Sequence, residues 1–267
     1  MKISMMYFSP TGTSKKVVRG ISKKLSNKYE VNREIDFTLP EERNQEVKFE
    51  EDELVIVGLP VYAGRVPNVL LKYLNTVEGN NAIAVAVVLY GNRNYDDALV
   101  ELRDILKDRG FRVVGAGAFI GEHSFSKILA KGRPDVDDMN LVDEFSEKIV
   151  QKLDKNENIL DFEVKGQVPY RPYYRPKNPA GEPVDIRKVT PKTNDKCIDC
   201  KICAKVCPMG SIKIEDVRKL EGICIKCGAC IKSCPLEAKY YDDENYLRHK
   251  YELEVEFESR REVELFL

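Results

Sequence analysis

The chain has no tryptophan, only two histidines and no long apolar run. Without tryptophan, a flat apolar surface for a ligand must come from tyrosine, phenylalanine or aliphatic side chains. No apolar run approaches the ~20 residues that span a bilayer, so we expect no membrane partner. Residues 1–8 are followed at once by Ser-Pro-Thr-Gly, which does not fit a signal peptide. We therefore expect a cytoplasmic protein.

The chain also has no excess of either charge. Its 43 Lys and Arg residues balance 44 Asp and Glu residues, which gives a formal net charge of −1. Because a near-neutral chain produces no overall field that attracts nucleic acid, we expect no nucleic-acid partner. A length of 267 residues predicts one large domain and a smaller one, in a monomer or a homodimer.

All eight cysteines lie in two copies of one motif, at residues 197–208 and 224–235. Each copy has the pattern C-x2-C-x2-C-x3-C-P, and the second repeats the first at an offset of 27 residues. Bacterial ferredoxins with two [4Fe–4S] clusters have this spacing, and the fourth cysteine of each run ligates the other cluster. The predicted ligand sets are Cys197, Cys200, Cys203 and Cys234 for one cluster, and Cys224, Cys227, Cys230 and Cys207 for the other.

Other uses of these cysteines fit the pattern less well. Three closely spaced thiolates on one tight loop converge on a single inorganic core, whereas Pro208 and Pro235 carry the chain away at the fourth. A zinc ribbon needs only two C-x2-C pairs per metal, so the third cysteine of each run argues against zinc. Disulfides need an oxidising compartment, which nothing in the sequence indicates. Iron–sulfur ligation uses all the thiols.

The first 155 residues alternate short apolar runs with amphipathic stretches, which is typical of an open parallel α/β sheet. Five strands and four helices in this length predict a flavodoxin-like five-stranded parallel sheet of order 2-1-3-4-5, with a ligand site between its first and third strands. The cysteine motifs add a small α+β two-cluster ferredoxin domain. The predicted strands are residues 2–8, 30–36, 54–58, 82–89 and 112–119, and the predicted helices are residues 14–27, 68–76, 95–109 and 136–153.

The loop after the first strand has the features of an anion site. It combines hydroxyl side chains, a glycine that permits close approach of the backbone, and the start of a helix. It contains no Lys or Arg and matches neither the Walker loop nor G-x-G-x-x-G, so N–H groups and hydroxyls would hold a phosphate monoester. The alternative is a helix cap with no ligand, since Ser and Thr are common caps. The candidate phosphate ligands are Ser9, Thr11, Gly12, Thr13 and Ser14.

Two more glycine-bearing loops follow the third and fourth strands, at the same edge of the sheet. A planar ring between them would stack on Tyr62 or Tyr95 and accept hydrogen bonds from nearby main-chain amides. Either tyrosine alone fits an exposed loop residue equally well, but three convergent loops favour a ligand site. The candidates are Pro60, Val61, Tyr62, Ala63 and Gly64 in one loop, and Gly91, Asn92, Arg93 and Tyr95 in the other.

These loops resemble those of a known family. Residues 9–14 are similar to the flavodoxin phosphate loop, with Ser14 where threonine is usual, and the two later loops resemble those that enclose the FMN isoalloxazine. The whole chain resembles the flavodoxin–ferredoxin fusion family, whose members share segments such as residues 61–65, 91–93 and 264–267. This resemblance implies FMN rather than FAD, two [4Fe–4S] clusters, and an electron-transfer role.

Four isolated side chains stay open to more than one interpretation. His123 follows the fifth strand at the same edge, where it is a candidate neighbour of the flavin or the clusters, although a lone loop histidine is more often a hydrogen-bonding residue. His249 is predicted to lie on the surface. Arg65 and Arg93 would hold a negative flavin or the other domain, or simply be solvated.

The predicted domains are residues 1–155 for FMN, a Pro-rich linker at 156–190, the ferredoxin domain at 191–243, and a tail at 244–267 that packs on the body. Pro-x-x-Pro-like spacing predicts a stiff, extended linker, and Tyr170, Tyr173 and Tyr174 indicate that it lies against protein. Residues 247–258 fit both a strand and a helix. Their helix-favouring flanks favour the helix.

The predicted function is low-potential electron transfer between the clusters, FMN and a redox protein that is donor or acceptor, with no catalytic residue assigned. The alternatives are an oxidoreductase in which the clusters feed a flavin that reduces a small acceptor, such as a quinone or nitro compound, and a redox sensor. No second phosphate-binding loop is evident, so we do not expect direct use of a nicotinamide nucleotide.

Overall fold

The computed structural model describes residues 1–155 and 162–267, so residues 156–161 of the predicted linker lie outside the described residues. The first range contains β1 (Lys2–Tyr7), α1 (Thr13–Leu25), β2 (Glu30–Asp36), a 3-10 helix (Pro40–Arg43), β3 (Glu53–Pro60), α2 (Asn68–Leu74), β4 (Ile83–Tyr90), α3 (Ala98–Asp108), β5 (Arg112–Ile120) and α4 (Val136–Lys155). The second contains β6 (Lys192–Thr193), α5 (Ile202–Lys205), α6 (Ala229–Lys232), β7 (Lys239–Tyr240), α7 (Glu244–Glu256) and β8 (Glu264–Phe266).

The main sheet has the strand order β2-β1-β3-β4-β5-β8. Its first five strands are parallel, so the order 2-1-3-4-5 predicted from the sequence is confirmed. Strands β3, β4 and β5 are buried along almost their whole length because helices cover both faces of the sheet, which explains their nearly continuous apolar sequences.

The core consists of two layers, one on each face of the sheet. On one face, α1 and α4 contribute Val17, Ile21, Phe145 and Ile149. On the other, α2 and α3 contribute Leu70, Leu102 and their neighbours. Full burial of one such apolar side chain is worth about 1.5–3 kcal/mol, so the two layers hold the sheet rigid under the loops at its carboxyl edge.

Strand β8 extends the sheet from the far end of the sequence. It pairs antiparallel with β5, and Ala116, Gly117 and Ala118 lie opposite Phe266, Leu265 and Glu264. We did not predict this strand from the sequence, because three residues are too few to show an alternating pattern. By pairing with β5, it covers an edge that would otherwise expose unpaired backbone groups.

The cysteine motifs form a small domain with internal repetition. Helices α5 and α6 occupy equivalent positions in the two motifs, and each follows a residue of left-handed conformation, Lys201 at φ 64° and Gly228 at φ 78°. The short strands β6 and β7 pair antiparallel. Among residues 1–155 and 162–267, no helix combines the length and apolar character needed to cross a membrane.

Helix α7 confirms the helical interpretation of residues 247–258, although it ends at Glu256. It is capped by Asp243, whose carboxylate accepts a hydrogen bond from the Tyr246 N–H at 2.9 Å. The prediction that His249 lies on the surface was wrong. His249 is buried, and its ring stacks on Tyr174 of the linker at a centroid distance of 5.8 Å, because the linker covers this face of the helix.

Tyrosines of the linker pack against the first domain. The Tyr170 hydroxyl donates to Asp104 at 2.8 Å, and the Tyr173 hydroxyl donates to the Val66 carbonyl at 2.8 Å. The Arg65 guanidinium lies over both rings, at 4.7 and 5.0 Å. The described part of the linker is therefore held along the surface.

Candidate functional site

Each predicted set of four cysteines surrounds its own cavity. We name these the proximal cavity, of about 350 Å³, and the distal cavity, of about 360 Å³. Each contains three cysteines from one motif and the fourth cysteine from the other motif. The proximal cavity is lined by Cys207, Cys224, Cys227 and Cys230, and the distal cavity by Cys197, Cys200, Cys203 and Cys234.

The donor chemistry of both cavities fits an iron–sulfur cluster. Four soft thiol ligands around an enclosed space are the typical [4Fe–4S] ligand set. Main-chain N–H groups also point at sulfur, from Ser211 to Cys207 at 3.3 Å and from Ala238 to Cys234 at 3.2 Å. In the described ranges, no group of three or more His, Cys, Asp or Glu side chains has the arrangement of a site for a single metal ion.

A third cavity, which we name the edge cavity, lies at the carboxyl ends of β1, β3, β4 and β5. It is open to solvent and contains about 460 Å³ of empty space. All three predicted loops contribute to it, together with the loop after β5 and one cysteine of the other domain. Its lining comprises Ser9, Pro10, Thr11, Thr13, Ser14, Pro60, Val61, Tyr62, Leu89, Tyr90, Gly91, Gly121, Glu122, His123, Ser124 and Cys227.

The loop before α1 is shaped as an anion site. Gly12 adopts φ 85°, and the Ser9 hydroxyl accepts a hydrogen bond from the Lys15 N–H at 3.0 Å. The N-cap residue Gly12 has no side chain that could cap α1, and the Thr13 and Ser14 N–H groups at the start of the helix have no intrahelical partner. The Ser14 hydroxyl is buried without a hydrogen-bond partner in the described structure. A phosphate oxygen would satisfy these donors, and the residues present therefore fit the FMN phosphate.

Several predicted ring-binding residues lie outside the edge cavity. Asn92 is buried, and its amide donates to the carbonyl oxygens of Phe257 at 2.6 Å and Ser259 at 2.9 Å. The Tyr95 hydroxyl donates to Glu264 at 2.9 Å. These two side chains face the C-terminal segment, because that segment supplies the partners that a buried polar group needs.

The remaining predicted residues of these loops also have structural partners. Arg93 pairs with Asp96 and lies 4.6 Å from the centroid of Tyr174. Gly64 packs against Asp96, where a Cβ would overlap the carboxylate, and the Ala63 carbonyl accepts a hydrogen bond from the Tyr174 N–H at 2.9 Å. Gly12 shapes the phosphate loop without lining the cavity.

Arg65 is also a structural residue. Its guanidinium forms two hydrogen bonds with Glu101, at 2.7 and 2.6 Å, and donates to the Arg171 carbonyl of the linker at 2.6 Å. Both Arg65 and Glu101 are mostly withdrawn from solvent. Arg65 therefore fixes the linker rather than a cofactor.

Some lining residues were not assigned from the sequence. They include Tyr90, at the end of β4, and Gly121, Glu122 and Ser124, directly after β5. Their place at the carboxyl end of a strand is the sequence signal that could have identified them. The sequence carried no comparable signal for Cys227, because its contribution to the edge cavity depends on how the two domains pack.

Two lining side chains are neutral hydrogen-bonding groups. Burial, followed by the nearby Cys227 and Cys224 thiols, raises the pKa of Tyr62. Burial lowers the pKa of His123 to about 3. Its Nδ1 accepts a hydrogen bond from the Phe125 N–H at 3.1 Å, so we assign the proton of the neutral ring to Nε2. His123 is therefore a hydrogen-bond donor, not a cation, near neutral pH.

Direct contacts join the two domains beside the edge cavity. Lys232 of the second motif pairs with Glu122 and donates to the His123 carbonyl at 2.8 Å. Arg43 donates to the Pro208 carbonyl at 2.6 Å. These contacts connect both cysteine motifs to the α/β domain.

Comparison with known proteins finds one matching family model and several solved structures of similar fold. A family model described as a 4Fe-4S dicluster domain matches residues 174–248. No curated protein matches the chain. A solved flavodoxin from the domain Archaea is 16% identical, with 58% of this chain and 99% of that chain covered and a TM-score of 0.41.

Two bacterial flavodoxins give similar values. For oxidised flavodoxin 2 from Bacillus cereus, the identity is 16%, the coverage is 57% of this chain and 99% of that chain, and the TM-score is 0.41. For an FMN-bound flavodoxin mutant from Fusobacterium nucleatum, the identity is 19%, the coverage is 58% and 95%, and the TM-score is 0.37. The fold assignment itself rests on the strand order of the present chain.

The chain therefore contains a flavodoxin-like, doubly wound α/β sheet and a 4Fe-4S dicluster domain. This is the domain arrangement of the flavodoxin–ferredoxin fusion proteins, and the resemblance drawn from the sequence is confirmed.

Proposed function

We propose that this protein is an electron carrier that moves single electrons between an external redox protein and a bound FMN through two [4Fe–4S] clusters. The observation that carries the proposal is the position of Cys227, which borders both the proximal cavity and the edge cavity. A cluster held by Cys227 would therefore lie next to a flavin in the edge cavity. When bound, FMN accepts one or two electrons, which joins one-electron and two-electron partners.

The residues have separate roles in this proposal. The Ser14 hydroxyl and the first turn of α1 hold the phosphate, and Tyr62 and His123 border the ring. The two sets of cysteines hold the clusters and, with the main-chain N–H groups that point at sulfur, influence their potentials. The proposed phosphate ligands are Ser9, Thr11, Thr13 and Ser14, which line the edge cavity, and Gly12 gives their loop its turn.

The external partner would bind beside the distal cavity. Cys200 is exposed, and Ile198 of the same cavity lining is 70% exposed. By contrast, Cys227 and Cys230 of the proximal cavity are buried. Electrons would therefore enter or leave at the distal cluster and reach the flavin through the proximal one.

A reductase of a small acceptor is the second candidate. The observation that favours it is that Tyr62 and His123, two groups able to donate hydrogen bonds, both line the edge cavity. Steady turnover of a quinone or nitro compound that is lost in Tyr62→Phe and His123→Leu, with FMN binding retained, would support the reductase over the carrier.

Anaerobic purification tests the proposed carrier directly. We expect about eight iron atoms and about one FMN per chain, with an EPR signal of reduced [4Fe–4S] clusters after dithionite treatment. NADPH alone is expected to leave the visible spectrum unchanged. A colourless zinc protein, or a chain with iron but no flavin, would contradict the proposal.

A further inference from the structure

The sequence repeat allows the surroundings of the two cluster cavities to be compared position by position. Lys239 follows Cys234 at the same distance as Ile212 follows Cys207. Lys239 lines the distal cavity, and Ile212 lines the proximal cavity. At equivalent places, the two cavities therefore differ by a cationic side chain.

Lys239 is a buried cation held in a fixed position. Lys239 is 3% exposed. Its ammonium group donates to the Thr193 hydroxyl at 2.7 Å and to the Val217 carbonyl at 2.5 Å. Among the residues that the structure describes, no carboxylate forms an ion pair with it. A buried ammonium normally requires a negative partner, and an anionic cluster in the distal cavity would provide one.

One main-chain hydrogen bond to sulfur is matched between the two cavities. The N–H groups of Ser211 and Ala238, at equivalent positions, lie 3.3 and 3.2 Å from the sulfur atoms of Cys207 and Cys234. This hydrogen bond therefore does not distinguish the two cavities, whereas the side chains of Ile212 and Lys239 do.

Two groups favour reduction of the proximal cluster instead. The Tyr241 hydroxyl lies 3.7 Å from the Cys224 sulfur, which is a weak contact. Lys226 is also buried, but its ammonium donates to the Arg187 and Cys224 carbonyls, and it does not line the proximal cavity. A cation that borders a cavity directly acts over a shorter distance and therefore more strongly.

Solvent exposure, like the charge of Lys239, favours reduction of the distal cluster over the proximal one. Adding an electron increases the negative charge of a cluster, and burial penalises that charge. The proximal cavity is the more buried one, whereas Cys200 of the distal cavity is exposed.

We propose that Lys239 raises the reduction potential of the distal cluster above that of the proximal cluster, so that the first electron taken up by the holoprotein resides on the distal cluster. This inference rests on the proposed function only in requiring that both clusters are present. The first electron, supplied by an external reductant, then stays at the end of the molecule that faces the partner.

The test is an anaerobic titration of the full-length holoprotein with dithionite, monitored by EPR. The distal signal is identified as the one changed in Cys203→Ser, and the proximal signal as the one changed in Cys227→Ser. We expect the distal cluster to be reduced first in the wild-type protein. In Lys239→Ile, which copies the residue found at the proximal position, the ratio of reduced to oxidised distal cluster at a given potential should fall at least tenfold, which is about 59 mV for one electron.

Two further variants separate the effect of charge from that of folding. Lys239→Gln keeps a hydrogen-bond donor and removes the charge, so it should shift the distal potential in the same direction. Lys196→Met, at an exposed lysine beside Cys197, changes the net charge equally and should shift it much less. Reduction of the proximal cluster first in the wild type, or equal shifts in Lys239→Gln and Lys196→Met, would overturn the inference. A protein that holds both clusters but no FMN would contradict the proposed function, yet the titration would still show which cluster is reduced first.

Discussion

Gly228 packs directly against the main-chain carbonyl of Ser124, so that a Cβ at residue 228 would overlap the Ser124 oxygen. Gly228 lies between Cys227 and Cys230, and Ser124 lines the edge cavity. The second cysteine motif therefore meets the loop after β5 through a contact between main chains, which leaves no room for a side chain.

We expect Gly228→Ala to slow electron transfer between the proximal cluster and the flavin. The new methyl group must push the motif away from Ser124, which increases the distance between the cofactors. The rate of flavin reduction after rapid mixing with reductant measures this. Gly222→Ala is the matched control, because Gly222 has a similar φ of 87° but only an ordinary contact at 3.6 Å. Both variants carry about 1–2 kcal/mol of backbone strain, so equal rates in the two would refute the role of this contact.

Ser14→Ala should weaken FMN binding. A hydroxyl that donates to a charged phosphate contributes about 1.5–3 kcal/mol, which corresponds to about a tenfold or greater loss of affinity. The free energy of unfolding of the flavin-free protein should be unchanged or slightly higher, since the buried Ser14 hydroxyl has no partner in the described structure. Fluorescence titration with FMN gives the affinity. Ser22→Ala, at a buried position on the same helix, should keep normal affinity.

Cys207→Ser should change the proximal cluster although residue 207 belongs to the first motif. The reason is that Cys207 lines the same cavity as Cys224 and Cys227. EPR spectra of the reduced variants provide the comparison. The spectrum of Cys207→Ser should resemble that of Cys227→Ser. If it instead resembles that of Cys203→Ser, each motif holds its own cluster and the proposed ligand sets are incorrect.

Arg65→Met should destabilise the α/β domain by about 3–5 kcal/mol, because it leaves the buried Glu101 carboxylate without its cationic partner. Denaturant unfolding followed by far-UV circular dichroism measures the loss. Arg187→Met removes an ion pair with Asp185 in which the arginine is exposed, and such surface pairs are worth about 0–1 kcal/mol. Similar losses in the two variants would show that the Arg65–Glu101 pair does not stabilise the fold.

Burial of His249 should make the protein less stable in mild acid. Burial is the largest cause of its lowered pKa, and the smaller effects of Arg93 and Arg248 act in the same direction, whereas Glu252 opposes them. Because the folded pKa lies below the unfolded value of about 6.5, the unfolded chain binds more protons as the pH falls through this region. Stability is therefore present above about pH 6.5 and decreases below it.

The matched variant for this pH dependence is His249→Phe, which keeps an aromatic ring against Tyr174 and Phe125. Melting temperatures measured between about pH 7 and about pH 5 should fall less in His249→Phe than in the wild type. An equal fall in both proteins would show that His249 does not contribute.

The parts of the structure that depend on local sequence were predictable. The apolar runs determined β1, β3, β4 and β5, because a strand buried on both faces must be apolar throughout. The predicted cysteine sets came from the match of the spacing to that of bacterial two-cluster ferredoxins, and each set lines one cavity. The phosphate loop was recognisable because its hydroxyls and glycine precede a helix directly.

The parts that depend on packing between distant segments were not predictable. Asn92 and Tyr95 were assigned to the ring site, but their partners, Phe257 and Glu264, come from the other end of the chain. His249 was placed on the surface because the sequence of a charged helix does not show that a linker tyrosine covers it. Cys227 was assigned to a cluster, and its second position beside the edge cavity required the packed domains.

Strand β8 makes the dicluster domain an insertion between two strands of a single sheet. The polypeptide leaves the α/β domain after α4 and returns to pair with β5, so the inserted domain is attached at both of its ends. One cleavage in the linker would not release it, because β8 would still hold the other end. The encounter between clusters and flavin is then intramolecular and restrained, and its rate should depend little on solvent viscosity or on protein concentration.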